Sequence, residues 1–217
     1  MGKEDMNMRL RQLLTIGIAG VVSIAFSGCF RESPPQSTAA AETSPASSSE
    51  ADTGALTAED NSDDKFVSAY PGFAVTSESL HDGFWDGITS NTDEGENKSP
   101  QLSWEPVEGA TTYAIYMIDL NTYYFIHWKS SDITETDLPE GWASSEDFVG
   151  PWPPSGTTHN YMVYVFALKA PVERMKGTVN TMSEEVPDFM NELDTDKDGN
   201  SGNIIAVGRI SGKYTAK

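Results

Sequence analysis

Four side chains in the second half of this chain have the chemistry of an anion site: Asp119, His127, His159 and Tyr161. Imidazoles can donate hydrogen bonds, and charge-assisted bonds to a phosphate or similar anion are stronger than neutral ones. Asp119 could orient an imidazole or accept from a ligand amine. The run Gly150-Pro151-Trp152-Pro153-Pro154-Ser155-Gly156 lies just before His159. Each proline fixes φ near −65°, so this loop is a stiff wall, and its glycines let backbone approach a ligand closely. Taken singly, a strand-end aspartate also fits a turn cap, and each histidine also fits a packed strand residue.

A second constellation is Asp194-Thr195-Asp196-Lys197-Asp198-Gly199-Asn200. Oxygen donors at Asp194, Asp196, Asp198 and Asn200, with glycine at the sixth position, match the start of a calcium loop. The twelfth position is Ile205, where such a loop wants a bidentate glutamate. The alternatives are a weak structural calcium site and a solvated acidic turn. No other cofactor is expected. The chain has no nucleophile elbow, no His-Glu-x-x-His, no phosphate loop and no dinucleotide fingerprint, so binding rather than catalysis is expected.

The elements that must position these residues are mostly strands. Apolar and β-branched runs predict strands over Gly72–Ser77, Gln101–Trp104, Thr112–Ile118, Tyr124–Ser130, His159–Leu168 and Asn203–Lys213. Asp119 closes an uncharged run, Tyr113–Ile118. Alternation puts His159 and Tyr161 on one face with Val163 and Val165, and points His127 away from Trp128. Helical spacing is clear only in Ser183–Leu193, with Val186, Phe189, Met190 and Leu193 on one face. A single mostly β domain over residues 66–217 is expected.

Three stretches, in order, resemble the phosphatidylethanolamine-binding protein family, in its bacterial Raf-kinase-inhibitor-like branch. They are Asn97-Lys98-Ser99-Pro100-Gln101-Leu102-Ser103-Trp104; Asp119 followed by Phe125-Ile126-His127-Trp128; and Gly150 through the proline loop to His159-Asn160-Tyr161. The resemblance spans about Phe73 to Tyr214. It implies an antiparallel β-sandwich with few peripheral helices. It also implies a cavity for a small anionic ligand or phospholipid headgroup, lined by Asp119, His127, His159 and Tyr161, with Pro151, Trp152, Pro153 and Pro154 as wall. The chain departs from the family where Pro-Asp-Ala-Pro usually follows the first aspartate: here the residues are Leu120-Asn121-Thr122-Tyr123-Tyr124. Asn160 also stands where a basic residue is usual.

The only cysteine, Cys29, follows Ser27-Gly28 at the end of an apolar run, Leu13–Phe26, that is preceded by Arg9 and Arg11. A basic start, a 14-residue apolar middle and small residues before the cut form an export signal, too short to span about 30 Å of hydrocarbon. A cysteine after Ser-Gly resembles a bacterial lipoprotein's acylation site; the alternative is an ordinary signal with a stray cysteine. The expected organisation is a signal over residues 1–28, a lipidated Cys29 with a tether to residue 65, then the domain. This places the protein in the bacterial cell envelope, outside the cytoplasm, and on the outer membrane in a Gram-negative cell. The tether is rich in Ser, Ala, Thr, Pro and acidic residues and cannot bury enough apolar surface to fold.

The chain carries 33 acidic and 14 basic residues, a net charge of −19. That charge repels phosphate backbones, so nucleic acid is not an expected partner. Two rival functions remain open from sequence: a protein-interaction or inhibitor-like module with no small ligand, and a phosphoester hydrolase using Asp119 with His127.

Overall fold

The computed structural model describes residues 60–217. The elements run β1 (Gly72–Phe73), β2 (Val75–Thr76), β3 (Leu80–His81), β4 (Phe84–Trp85), β5 (Leu102–Trp104), β6 (Thr112–Asp119), β7 (Phe125–Ile133), β8 (Asp137–Leu138), β9 (Thr158–Leu168), α1 (Val186–Glu192) and β10 (Ile204–Thr215). A large sheet has the order β3-β4-β10-β9-β6-β7, with β1 also on β10; a small sheet has the order β2-β5-β8. The pairings are antiparallel except that β1 and β4 both run parallel to β10. The mostly β sandwich with few helices expected from sequence is the fold that forms.

The large sheet is buried on both faces, which explains the unbroken apolar runs in β6 and β9. One face, with Ile115, Met117, Trp128, Val163 and Val165, packs on Val75, Leu102 and Leu138 of the small sheet. The other, with Tyr116, Ile118, Tyr164 and Phe166, packs on Val186 and Met190 of α1. Burying a Val, Leu or Ile side chain contributes about 1.5–3 kcal/mol, so these two layers hold the sandwich together.

The strand predicted over Gly72–Ser77 is two strands. The chain leaves the large sheet after Phe73 and enters the small one at Val75. Gly208 on β10 makes room for that crossing, because a Cβ there would sit 2.5 Å from Val75 Cγ2 and 2.7 Å from Phe73 Cε2. The helix predicted from Ser183 begins at Val186. Pro187 suits only a first turn, and Ser183 instead caps the preceding turn, its hydroxyl accepting from the Glu185 N–H at 3.2 Å. The predicted apolar face is sound: Val186, Met190 and Leu193 are buried.

The tether boundary expected at residue 65 falls too late. Asn61 and Asp64 are buried beneath β10. Arg209, 4% exposed, donates to Asn61 Oδ1 (2.7 Å), Asp64 Oδ2 (2.9 Å), the Asp60 carbonyl (2.8 Å) and Asp63 Oδ1 (2.6 Å). Tyr164 adds a hydroxyl donor to Asp64 Oδ2 at 3.0 Å. The segment is polar enough to read as linker, but its polar groups are answered by one buried guanidinium. The export signal and Cys29 lie outside the described residues.

Candidate functional site

Neighbouring strands bring the site together by register. Asp119 ends β6 directly opposite Tyr161 on β9 and Phe125 at the start of β7. His159 lies two residues before Tyr161 on the same strand, and its ring stacks toward the phenol at 6.5 Å. His127 arrives by a bulge. Met117 pairs with Trp128 but Ile118 pairs with Ile126, leaving His127 as the extra residue on β7. The expectation that it points away from Trp128 assumed unbroken alternation. The bulge instead turns it toward Tyr161, on the Trp128 side of the sheet, with ring centroids 5.1 Å apart.

These side chains line one cavity of about 370 Å³, together with Thr122, Phe125, Trp152, Pro153, Pro154 and Met182. Its walls are largely aromatic and aliphatic, and its polar groups gather at the floor. Phe125 lies 4.8 Å from the His127 ring and 5.0 Å from Trp152, centroid to centroid. Pro151, expected in the wall, is buried and does not line the cavity, and its carbonyl accepts from the Asn91 N–H at 2.9 Å. Asn97 accepts from the Gly150 N–H at 2.6 Å. Gly150 is required there, since a Cβ would fall 1.9 Å from the Thr89 carbonyl oxygen. The Asn97 motif therefore braces the proline wall and does not touch the cavity. Thr122, Phe125 and Met182 escaped the sequence reading. Phe125 was accessible as the first residue of an apolar strand leading to His127; Met182 sits in a loop with no pattern of its own.

The floor is a committed hydrogen-bond network. Asp119 Oδ2 takes His159 Nδ1 at 2.6 Å, and Oδ1 takes the Asn121 N–H at 2.7 Å. The Tyr161 hydroxyl also faces this carboxylate; burial first, then Asp119, push the phenol far above its ordinary range. Asn121, standing where the family has a carboxylate, accepts from the Asn160 N–H at 2.8 Å and ties the two strands at the rim. His127 Nδ1 lies 2.7 Å from the Val149 carbonyl. A carbonyl cannot donate, so Nδ1 carries the proton, and neutral His127 presents its Nε2 lone pair. Burial drives His127 down to about 4, against the opposing pull of Val149 and Asp119.

That shift predicts a pH dependence of stability. The folded value lies below the ordinary 6.5, so the unfolded chain binds more protons between about pH 6.5 and pH 4. The contribution is whole above about pH 6.5 and is lost as pH falls toward 4, about 3 kcal/mol in all. Urea unfolding at pH 7 and pH 4.5 should show this fall in the wild type and a smaller one in His127→Gln.

In the acidic loop the carboxylates bond to nearby backbone. Asp194 accepts from the Gly202 and Ile204 N–H groups, and Asp196 from those of Asp198 and Asn200. Its carboxylates cap backbone, and among the described residues no group of three or more His, Cys, Asp or Glu side chains could hold a metal ion. Asp194, Asp196, Asp198 and Asn200 lie together in a turn, closed by the Thr195–Ser201 bridge.

The fold is thus a two-sheet β-sandwich with a polar-floored, aromatic-walled cavity at a strand-end bulge. The family model for phosphatidylethanolamine-binding protein matches residues 77–204, more than half of the chain, and the chain belongs to that family. The crystal structure of Escherichia coli YbcL, described as a member of the mammalian family of this type, is similar at 26% identity and a TM-score of 0.50. That match covers 67% of this chain and 99% of the other. A phosphatidylethanolamine-binding protein homolog from Chlamydia trachomatis is similar at 20% identity and a TM-score of 0.48, covering 66% of this chain and 97% of the other. No curated protein matches the chain.

Proposed function

We propose that this protein is a lipid-anchored, extracytoplasmic binding protein whose cavity holds a small anionic ligand or phospholipid headgroup. The observation that carries the binding reading is the convergence of Asp119, His127, His159 and Tyr161 on one cavity floor. The aromatic wall of Phe125 and Trp152 suits an organic substituent on that ligand, and the polar floor suits its charged end. No serine, cysteine or threonine hydroxyl is hydrogen-bonded to His127 or His159 among the described residues, which favours binding over turnover. Calorimetric titration of the wild type and of His127→Ala/His159→Ala with inorganic phosphate and phosphoethanolamine tests the reading. Saturable binding in the wild type that is lost in the double variant is expected. A folded wild type that binds neither ligand would move the function to a protein-interaction surface.

Anchoring would run through acylation of Cys29, behind the apolar run Leu13–Phe26 and Ser27-Gly28. Two or three acyl chains hold a protein far more firmly than one. In a bacterial host, Cys29→Ser is expected to move the protein from the membrane pellet to the soluble extracytoplasmic fraction. Retention of the variant in the membrane would refute acylation at this cysteine.

A further inference from the structure

Few donors stand free in this cavity: the Thr122 hydroxyl is buried without a partner, but the groups around His127 are committed. Asp119 is an acceptor already engaged by His159 and by the Asn121 N–H, and the Tyr161 hydroxyl faces it. His127 spends its Nδ1 proton on Val149, so the neutral ring carries its lone pair on Nε2. The groups packed around the His127 ring are Phe125 on its own strand, Asp119 on β6, His159 and Tyr161 on β9, and Trp152 with the Val149 and Gly150 carbonyls on the loop. Among the described residues no hydrogen bond from any of them to Nε2 is seen. A fully deprotonated phosphate would therefore meet a lone pair at the very position where it needs a donor.

We propose that the cavity takes its anion together with one proton, held between His127 Nε2 and a ligand oxygen, and so selects phosphomonoesters over phosphodiesters. This deepens the proposed function and rests on it. A phosphomonoester carries its second acid proton up to about pH 6, so near neutral pH its monoanion can donate P–OH to Nε2 while its other oxygens remain acceptors. A phosphodiester, the form of an intact phospholipid headgroup, has no such proton and must draw one onto a buried imidazole. Burial resists that charge. The proton balance is the same wherever the proton finally rests: one is taken up from solvent for each monoester dianion bound.

The test compares phosphoethanolamine with glycerophosphoethanolamine, which share an ammonium end and differ in the second ester. Calorimetry uses the full chain in a mild nonionic detergent, in two buffers of different ionisation enthalpy. At pH 7.5 the monoester should bind with uptake of about one proton. At pH 6 it should bind at least about tenfold more tightly than the diester, the scale of one charge-assisted hydrogen bond. In His127→Gln, whose amide can donate, that preference should shrink to within about threefold. Equal affinity for the two esters, or monoester binding at pH 7.5 with no proton uptake, would overturn the inference while leaving the anion site standing. Binding of neither ester would overturn both. The wild-type proton count decides the matter even where the variant fails to fold.

Discussion

Arg209→Ala is expected to lower the unfolding free energy by about 3–5 kcal/mol, the usual cost of removing one partner from a buried ion pair. The guanidinium and the Asp64 carboxylate are 5% and 7% exposed, and their N–O distance is 2.9 Å. Removing the cation leaves Asp64 buried with only the Tyr164 hydroxyl and local backbone N–H groups as donors. It also frees Asn61 Oδ1 and the Asp60 carbonyl from their donor. The Asp63 contact adds little, because that carboxylate is 76% exposed and screened by water. Arg209→Lys should recover only part of the loss, since one ammonium cannot reproduce a planar fork that reaches four acceptors. A chain that begins at Phe66 should suffer as Arg209→Ala does, from the opposite side of the same pair. Urea unfolding monitored by tryptophan fluorescence measures all three. A loss below about 1 kcal/mol in Arg209→Ala would show that the amino-terminal segment is not part of the cooperative unit.

The second large effect belongs to the site itself. Asp119→Ala should cost about 3 kcal/mol, although it removes a buried negative charge from an acidic protein. The carboxylate, 3% exposed, is the shared acceptor for the His159 Nδ1–H and the Asn121 N–H, and the Tyr161 hydroxyl faces it. Each buried donor left without a partner costs about 1–3 kcal/mol. Relief of general charge repulsion is spread over a surface screened within about 10 Å by salt, so it does not offset losses concentrated on one floor. Asp119→Asn should cost less, because its amide oxygen can still accept one of these donors. Equal losses in Asp119→Ala and Asp119→Asn would mean that charge, not the number of accepted bonds, organises the floor.

Much of this molecule was legible because its long strands carry long apolar runs. β6 and β9 each extend the expected strand by one residue, and the register between them puts Asp119 opposite Tyr161. The residues that escaped are those whose placement depends on partners far away in sequence. β3, β4 and β8 are two residues each, too short for any period to show. The division of β1 from β2 is set by Gly208, which no local pattern in residues 72–77 reveals. Asn61 and Asp64 read as linker because burial of polar groups is specified by Arg209, nearly 150 positions later. The orientation of His127 depends on a one-residue bulge, and strict alternation misplaces it. In the acidic loop, oxygen spacing does not reveal that backbone N–H groups bond to Asp194 and Asp196.

The most direct test of the account is the nitrogen NMR signal of the histidine side chains during titration with phosphoethanolamine at pH 6.5. His127 and His159 line the cavity, whereas His81 lies on the surface beside Asp86 and serves as an internal control. The account predicts a saturable change at His127 Nε2, from an unprotonated nitrogen toward a hydrogen-bonded one, with His127 Nδ1 still protonated against Val149, a smaller shift at His159 and none at His81. Binding that leaves the His127 and His159 signals unmoved would contradict it, because the ligand would then lie outside this cavity.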